Sequence, residues 1–350
     1  MNNFLRSTKL LFLLGLTVLT GSIIALFAGA PAPAAADDPW ALTAHADTWE
    51  VAPLPAPDPG AVTAQKVFPP DDRVLVPDTR EWPFRLVTHL VMFDEKLNPV
   101  AECSGMLLSP NAVLTAAHCV YDYDTKSFNY ATLFIPGENP TSEPYGSAVD
   151  VDVALPVGWV NTGNPVYDVA VVKIGGGSNF HPQGPYAILA AAGSSYLSNG
   201  STVFFTAGYP GDKPLGTQWL TAAPVEYVDE SFIYTSMDAY PGQSGSPIFT
   251  YNFDTDLAYV VGTFSFETAA FNAGVRFSPV ILDALHSYCQ SLGCTFTSTI
   301  LSSGPASPTA TPTTATPSPT ATPSSVPEAT RPPNLNFRLR TQQLARDGQQ

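Results

Sequence analysis

The sequence has little positive charge. Its 350 residues include 15 Lys and Arg against 30 Asp and Glu, which gives a formal net charge of −15 at pH 7. The imbalance is largest at 74–298, where 7 Lys and Arg stand against 21 Asp and Glu. Because nucleic-acid phosphates require a basic surface, we expect no nucleic acid among the partners of this protein.

Long apolar runs are scarce, and the longest lies at the N-terminus. Arg6 and Lys9 precede an apolar stretch at 10–30, and small residues follow at 34–36. This order is typical of a secretory signal peptide, and we predict cleavage after Ala36. An uncleaved membrane anchor is the alternative, because roughly 20 apolar residues can span a bilayer. With the signal removed, we expect a secreted monomer with no stable membrane insertion.

Helical periodicity is also rare. Short apolar runs separated by Gly, Pro and Asn clusters fill residues 74–298, and this spacing predicts an all-β sandwich or barrel. Residues 37–73 are rich in Pro, Ala and Asp, and they predict a leader or propeptide after the signal peptide at 1–36. Residues 299–350 contain repeated Thr-Ala-Thr-Pro units, which predict an extended stalk and tail.

Cysteine is scarce too, with 4 residues in the chain. In an oxidising environment outside the cell we expect all four to pair. A helix is predicted to begin at Ser278 and Pro279, which suit the N-cap and the first helical position. Cys289 and Cys294 lie near the predicted end of this helix, close enough for a disulfide, with free thiols as the alternative.

Three short patterns carry reactive side chains in the order His, Asp, Ser. In the pattern at 103–119, CSGMLLSPNAVLTAAHC, a hairpin and a tight exit place His118 at the end of a strand. In YDVAVVKI at 167–174, Asp168 precedes an apolar strand. An acid in that position is more often a strand-capping residue when it is considered alone.

The third pattern is PGQSGSP at 241–247. Its glycines allow a sharp turn that exposes the hydroxyl of Ser244, and they allow the N–H groups of Gly242 and Ser244 to form an oxyanion hole. A serine hydroxyl is a poor nucleophile until a base takes its proton. His118 is the candidate base, and Asp168 is the acid that would fix its tautomer and orientation.

Together these patterns resemble the trypsin-like serine endopeptidases and, among them, the bacterial glutamyl endopeptidases. The resemblance covers residues 71–294 and is strengthened by GYPGDK at 208–213, GTQW at 216–219 and MDAYPGQSGSP at 237–247. It implies two antiparallel β-barrels followed by a C-terminal helix, with the triad between the barrels. It also implies protein or peptide substrates, no metal or organic cofactor, and a disulfide between Cys103 and Cys119.

The resemblance leaves the primary specificity open. Glutamyl endopeptidases cleave after Glu and use a histidine on the strand that follows the nucleophile, but the matching stretch VVGTFSFE at 260–267 contains none. Asp238 precedes Ser244 at the place where trypsin carries the acid that selects Lys and Arg. We place Asp238, Ser265 and Glu267 in the specificity pocket, and cleavage after Lys or Arg is the alternative to cleavage after Glu.

Two other classes of function are alternatives for this sequence. One is a non-catalytic binding protein on the protease fold, and such proteins usually lose a member of the triad. The other is an adhesion module on a Thr-Pro stalk, which does not explain the three motifs. For the peptidase we predict removal of the leader by a cut after Arg73 that frees Val74.

Overall fold

A computed structural model describes residues 39–40, 42–43, 66–177 and 179–302. The chain divides into two units, Met1–Asp37 and Asp38–Gln350, and the described residues all belong to the second. The predicted signal peptide, most of the leader and the stalk beyond residue 302 lie outside the described residues. Within the described part of the chain, no helix is long and apolar enough to cross a bilayer.

Strands dominate the described part of the chain. In chain order the strands are β1 (Leu42–Thr43), β2 (Val74–Leu75), β3 (Val87–Phe93), β4 (Pro99–Ser109), β5 (Ala112–Thr115), β6 (Tyr121–Asp122), β7 (Ser127–Phe128), β8 (Ala131–Pro136), β9 (Ala148–Pro156), β10 (Ala170–Gly176), β11 (Ile188–Ala192), β12 (Phe204–Gly208), β13 (Trp219–Ala223), β14 (Val225–Val228), β15 (Phe232–Thr235), β16 (Pro247–Asn252), β17 (Leu257–Glu267), β18 (Asn272–Arg276) and β19 (Thr297–Leu301). The α-helices are α1 (Val157–Thr162), α2 (Ser194–Leu197) and α3 (Pro279–Ser291). Short 3₁₀ turns occupy Phe84–Leu86, Ala117–Cys119 and Pro165–Tyr167.

The first sheet closes into a barrel. Its strands follow the order β1-β9-β10-β5-β4-β3-β8, and β8 also pairs with β9. This last pairing joins six antiparallel strands in a ring and leaves β1 outside it. Fully buried apolar side chains from these strands, including Leu90, Met106, Leu114 and Val171, form the core. Burial of such side chains from water is the main force that holds the sheet closed.

The second sheet is an open half-barrel of ten strands. Its main path runs β14-β15-β18-β17-β16-β12-β13-β2. β11 joins β17 and β19 in parallel, so these pairings depart from the antiparallel pattern of the rest. The predicted fold class, all-β of the trypsin-like type with two β-barrels, is confirmed, with the difference that the second barrel is an open half-barrel because β14 and β2, at the two ends of its main path, do not pair within the described residues.

The predicted C-terminal helix is confirmed as α3. Ser278 caps it, because its side chain accepts the N–H of Ile281 at 3.3 Å. Pro279 occupies the first helical position, where no N–H is required. The buried face includes Ile281, Leu282, Leu285 and Tyr288.

Both predicted cysteine pairs form disulfides in the structure. Cys103 bonds Cys119, and Cys289 bonds Cys294. The first bond joins β4 to the 3₁₀ turn after β5, and the second lies at the end of α3.

The last part of the predicted leader is built into the folded body. The guanidinium of Arg73 is fully buried and forms ion pairs with Asp71 and Asp212. Lys213 also pairs with Asp71 at 2.7 Å. β2 follows directly and pairs with β13, so these contacts continue across the predicted boundary between residues 73 and 74.

Candidate active site

His118 lies just beyond the end of β5. The strand ends at Thr115, and the turn Ala117–Cys119 carries the histidine out of the sheet. The disulfide from Cys119 to Cys103 fixes this turn to β4. The imidazole keeps 32% of its surface exposed, so it is fixed by the barrel and still open to a substrate.

Asp168 lies two residues before β10, the strand that pairs with β5, and this pairing brings its side chain to His118. β10 pairs with β5 so that Ala170 lies opposite Thr115. The Asp168 side chain is almost fully buried, and its Oδ2 lies 2.7 Å from Nδ1 of His118. Its Oδ1 accepts the backbone N–H of His118 at 2.9 Å. Because a carboxylate accepts hydrogen bonds, this arrangement places the ring proton on Nδ1 and leaves Nε2 as the basic atom.

The second sheet also holds Asp168. The hydroxyl of Ser265, on β17, donates to Oδ2 of Asp168. Ser265 was predicted as a pocket residue, and in the structure its hydroxyl orients the acid. The Asp168 carboxylate is therefore fixed by donors from both sheets.

The environment of His118 favours its charged form. Burial opposes the charge on the imidazole, but the carboxylate of Asp168 outweighs burial through its charge and its hydrogen bond, so the pKa of His118 is raised above its usual 6.5. A more basic imidazole is a better proton acceptor for a neighbouring hydroxyl.

Ser244 lies in a loop that only glycine can form on both sides of it. Gly242 has φ +104° and Gly245 has φ +80°, values that L-residues with a side chain rarely adopt. A Cβ on Gly242 would lie 2.5 Å from the carbonyl oxygen of Tyr209, and one on Gly245 would lie 2.2 Å from that of Ser104. The loop is therefore packed tightly against neighbouring backbone.

The Ser244 loop packs against the elements that carry His118. Ser104, next to Cys103 on β4, donates its backbone N–H to the carbonyl of Ser244 at 2.8 Å. The sulfur of Cys119 lies 3.7 Å from the same carbonyl oxygen. The structure thus places the Ser244 loop beside the turn that carries His118, and within the described residues no hydrogen bond joins the Ser244 hydroxyl to the His118 imidazole.

Two backbone amides of this loop are candidates for binding an oxyanion. The N–H groups of Gln243, Gly245 and Ser246 donate to backbone carbonyls. In the described part of the chain, those of Gly242 and Ser244 have no hydrogen-bond acceptor. Preorganised amides of this kind can stabilise the negative charge of a tetrahedral intermediate.

Comparison with known proteins shows which family this region resembles. Residues 103–254 match the family model described as the trypsin-like peptidase domain. This part of the chain is therefore similar to trypsin-like peptidase domains. A solved glutamyl endopeptidase structure is 26% identical to it, with a TM-score of 0.54 over 63% of this chain and 96% of that chain.

Curated relatives are similar to the peptidase domain in sequence. A glutamyl endopeptidase of Bacillus licheniformis is 34% identical over 206 residues, which cover 58% of this chain and 60% of that protein. A Bacillus subtilis protein named extracellular metalloprotease is 31% identical over 185 residues, which cover 53% of this chain and 58% of that protein. The chain therefore spans about three-fifths of the length of these relatives.

Both carboxylate oxygens of the buried Asp238 accept hydrogen bonds. Asp238 is 1% exposed, and its two oxygens accept the backbone N–H groups of Phe68 at 2.6 Å and Asp72 at 2.9 Å. Burial raises the pKa of Asp238 to about 6, and the nearby Asp72 carboxyl acts in the same direction. The carboxyl of Asp238 therefore anchors residues 66–73 to the second sheet.

The hairpin of β17 and β18 carries the remaining predicted pocket residue. Glu267 is half-buried at the end of β17 and lies opposite Asn272 on β18. Arg276, at the far end of β18, does not supply a cation here, because its guanidinium binds the carbonyls of Ala192 and Asp229.

Sequence reasoning missed two residues at this hairpin. The buried amide of Asn272 accepts the backbone N–H of Lys66 at 2.8 Å and donates to its carbonyl at 2.6 Å. The ammonium of Lys66 donates to the carbonyl of Ala269, in the hairpin turn, at 3.1 Å. Lys66 thus brings a positive charge to the strand pair that contains Ser265. The position of Lys66 in a Pro-rich leader gave no indication of this contact with the hairpin.

One group of side chains has the composition of a metal site. Potential ligand atoms of Cys103, His118 and Cys119 lie within 4.8 Å of one another. Zinc binds cysteine as a free thiolate, and both sulfurs are consumed by the disulfide. These three residues therefore do not fit a metal.

Proposed function

We propose that this domain is a serine endopeptidase that hydrolyses peptide bonds with Ser244, His118 and Asp168. The observation that carries the proposal is the double contact of the buried Asp168 with His118, at 2.7 and 2.9 Å, beside the glycine-containing loop of Ser244. An imidazole held in one orientation by a buried carboxylate is the activating group that a serine nucleophile requires.

The proposed reaction has two halves. Nε2 of His118 takes the proton of Ser244 as Oγ attacks the carbonyl carbon of the substrate. The N–H groups of Gly242 and Ser244 bind the oxyanion. The imidazolium then gives its proton to the amine that leaves, and an acyl-enzyme remains. In the second half His118 takes a proton from water, which attacks the ester, and returns it to Ser244 as the acid product departs.

A Ser244→Ala variant tests the assignment. We expect it to fold and to lose activity on a protein substrate by roughly 10⁶, because nucleophile and base act as a unit. His118→Ala should cost about as much, and the double variant little more. Circular dichroism checks the fold of each variant. Substantial turnover by folded Ser244→Ala would refute the role of this serine.

We propose Glu as the preferred residue before the cleaved bond. Two relatives are named for this specificity, and a buried carboxylate needs a cation or several donors. Lys66 supplies a cation at the hairpin turn. Asp238, the acid at the position that selects Lys and Arg in trypsin, is bound to two backbone amides and does not offer a free carboxylate to a basic side chain.

A peptide library separates these specificities. The wild-type protein should prefer Glu to Gln, and Lys66→Met should reduce that ratio about tenfold, which is roughly 1.4 kcal/mol. Lys96→Met is the matched control, because Lys96 is an exposed lysine in the turn between β3 and β4. This variant should leave the ratio unchanged. Asp238→Ser should lower stability without a selective loss of cleavage after Arg. A selective loss would favour the trypsin-like specificity.

We also propose that the protein acts outside the cell as a monomer on protein or peptide substrates. The signal-peptide pattern at 1–36 supports secretion, and one relative is named as extracellular. Analysis of the culture medium for the mature protein, followed by light scattering, tests the location and the oligomeric state together.

A further inference from the structure

The start of the leader is bound to the first barrel as an additional strand. β1 pairs antiparallel with the end of β9, with Leu42 opposite Pro156 and Thr43 opposite Leu155. β10 pairs with β9 only as far as Ala154. β1 therefore pairs with the part of β9 that lies beyond the ring of six strands.

Pro39 and Trp40, which precede β1, make further contacts with the same body. The carbonyl of Pro39 accepts the backbone N–H of Gly158, on α1, at 2.9 Å. The carbonyl of Trp40 accepts the hydroxyl of the buried Tyr288, on α3, at 2.8 Å. These contacts and the β1 pairing join the leader to three different elements.

Trp40 also packs beside the acid of the candidate active site. Its ring meets that of Tyr167 edge-on, with centroids 5.1 Å apart, and it is packed against the main core. Tyr167 precedes Asp168 and lies so close to α1 that a Cβ on Gly158 would be 2.5 Å from its ring. Trp40 therefore packs against the residue that directly precedes Asp168.

A second part of the leader is held independently on the other sheet. Asn272 and Asp238 bind the backbone of Lys66, Phe68 and Asp72. Residues 44–65 join the two bound parts. A single cut within this stretch would leave each of its ends attached to a separately held segment.

We propose that the segment at 39–43, with β1 as its docking strand, keeps the leader bound to the peptidase body after the chain is cut between residues 44 and 65. The surface formed by β9, α1 and α3 is then a binding site for this segment of the same chain. Strand addition to an exposed sheet edge, with an aromatic anchor beside it, is an established way to bind a peptide. The cut protein therefore behaves as two chains in one particle.

The test uses the secreted full chain with Ser244→Ala, so that the protein cannot cut itself. A recognition sequence for an added site-specific protease is inserted after Leu54, and the protein is cut and passed through gel filtration under native conditions. We expect the fragment that carries residues 39–43 to elute with the body in a 1:1 ratio and to separate in denaturant. Release of the fragment under native conditions would overturn the proposal.

Trp40→Ala is the variant that removes the aromatic anchor. We expect it to reduce the retained fragment at least tenfold, whereas His45→Ala, in the same leader but after β1, should retain it fully. Equal retention by Trp40→Ala and the parent would overturn the role of the docking strand. If Trp40→Ala does not fold, hydrogen exchange of the Gly158 amide in the cut parent decides. Protection supports the bound strand, and fast exchange refutes it.

Discussion

Asp168 accepts hydrogen bonds from three donors on its two oxygens. Two come from His118 and one from Ser265. Hydrogen bonds to an ionised acceptor are stronger than neutral ones, and burial shields them from water. The geometry therefore fixes the ring of His118 before any substrate arrives.

Replacing this acid with an amide should expose its role. Asp168→Asn can present an N–H to Nδ1, which favours the tautomer with its proton on Nε2 and removes the base. We expect kcat to fall about 10⁴, by analogy with the same change in trypsin. Steady-state kinetics measure it, and a loss smaller than tenfold in a folded variant would contradict the proposed role of Asp168.

The pH dependence of kcat/KM should report the same contact. Only neutral His118 can act as a base, so activity falls as the pH drops through its pKa in the free enzyme. Because Asp168 raises that pKa, the acid limb should lie above pH 6.5 in the wild type. In Asp168→Asn it should move to lower pH. An acid limb at the same pH in both proteins would contradict the electrostatic coupling.

Strand β3 carries a buried histidine outside the active site. His89 is 1% exposed, lies between Glu102 on β4 and Glu138 after β8, and stacks on Tyr209 with centroids 4.7 Å apart. Burial opposes the charge on its ring, but the two glutamates outweigh burial and raise the pKa of His89. The ring of His89 thus connects β3 to Glu102 on β4 and to Glu138 in the segment after β8.

This cluster should make stability depend on pH. Since the folded-state pKa of His89 exceeds 6.5, its stabilisation is complete below that pH and is lost as the pH rises through the raised value. His89→Phe keeps the stacking and removes the charge. We expect it to lower the free energy of unfolding by about 1–3 kcal/mol near pH 5.5 and by less near pH 9.5.

Urea denaturation at the two pH values measures this difference. Glu102→Gln, which removes one of the two charges, should show part of the same dependence. A pH-independent effect of His89→Phe would show that the ring contributes through packing alone.

Local patterns predicted those elements whose stabilising contacts are near in sequence. The cap at Ser278 and the apolar face of α3 depend on residues within a few turns, and the prediction was right. The docking of Lys66 on Asn272 joins positions 206 residues apart. No periodicity of the leader contains that partner, so the sequence suggested a loose segment.

At the scale of the whole molecule, the order of the His, Asp and Ser motifs was the most informative feature. Each motif alone is common in proteins. The number of residues between the motifs does not show that they meet in the folded chain. The pairing of Cys103 with Cys119 was implied by the resemblance to the trypsin-like family, in which both cysteines belong to one motif. The role of Ser265 was not predictable, since its contact with Asp168 requires two sheets to meet.

The maturation of the chain can be tested at the same scale. Removal of the leader stays a prediction, but the buried ion pairs of Arg73 argue against a cut after that residue in the folded protein. We expect N-terminal sequencing of the secreted body to find a start at or before Lys66. A start at Val74 would contradict the structural role of residues 66–73.

Covalent labelling tests the central claim most directly. A fluorophosphonate reacts with a serine hydroxyl that a neighbouring base has activated. Peptide mapping of the labelled wild-type protein should find one modified residue, Ser244, with no label in Ser244→Ala and little in His118→Ala. A folded wild-type protein that takes no label, or carries it on another serine, would contradict the account.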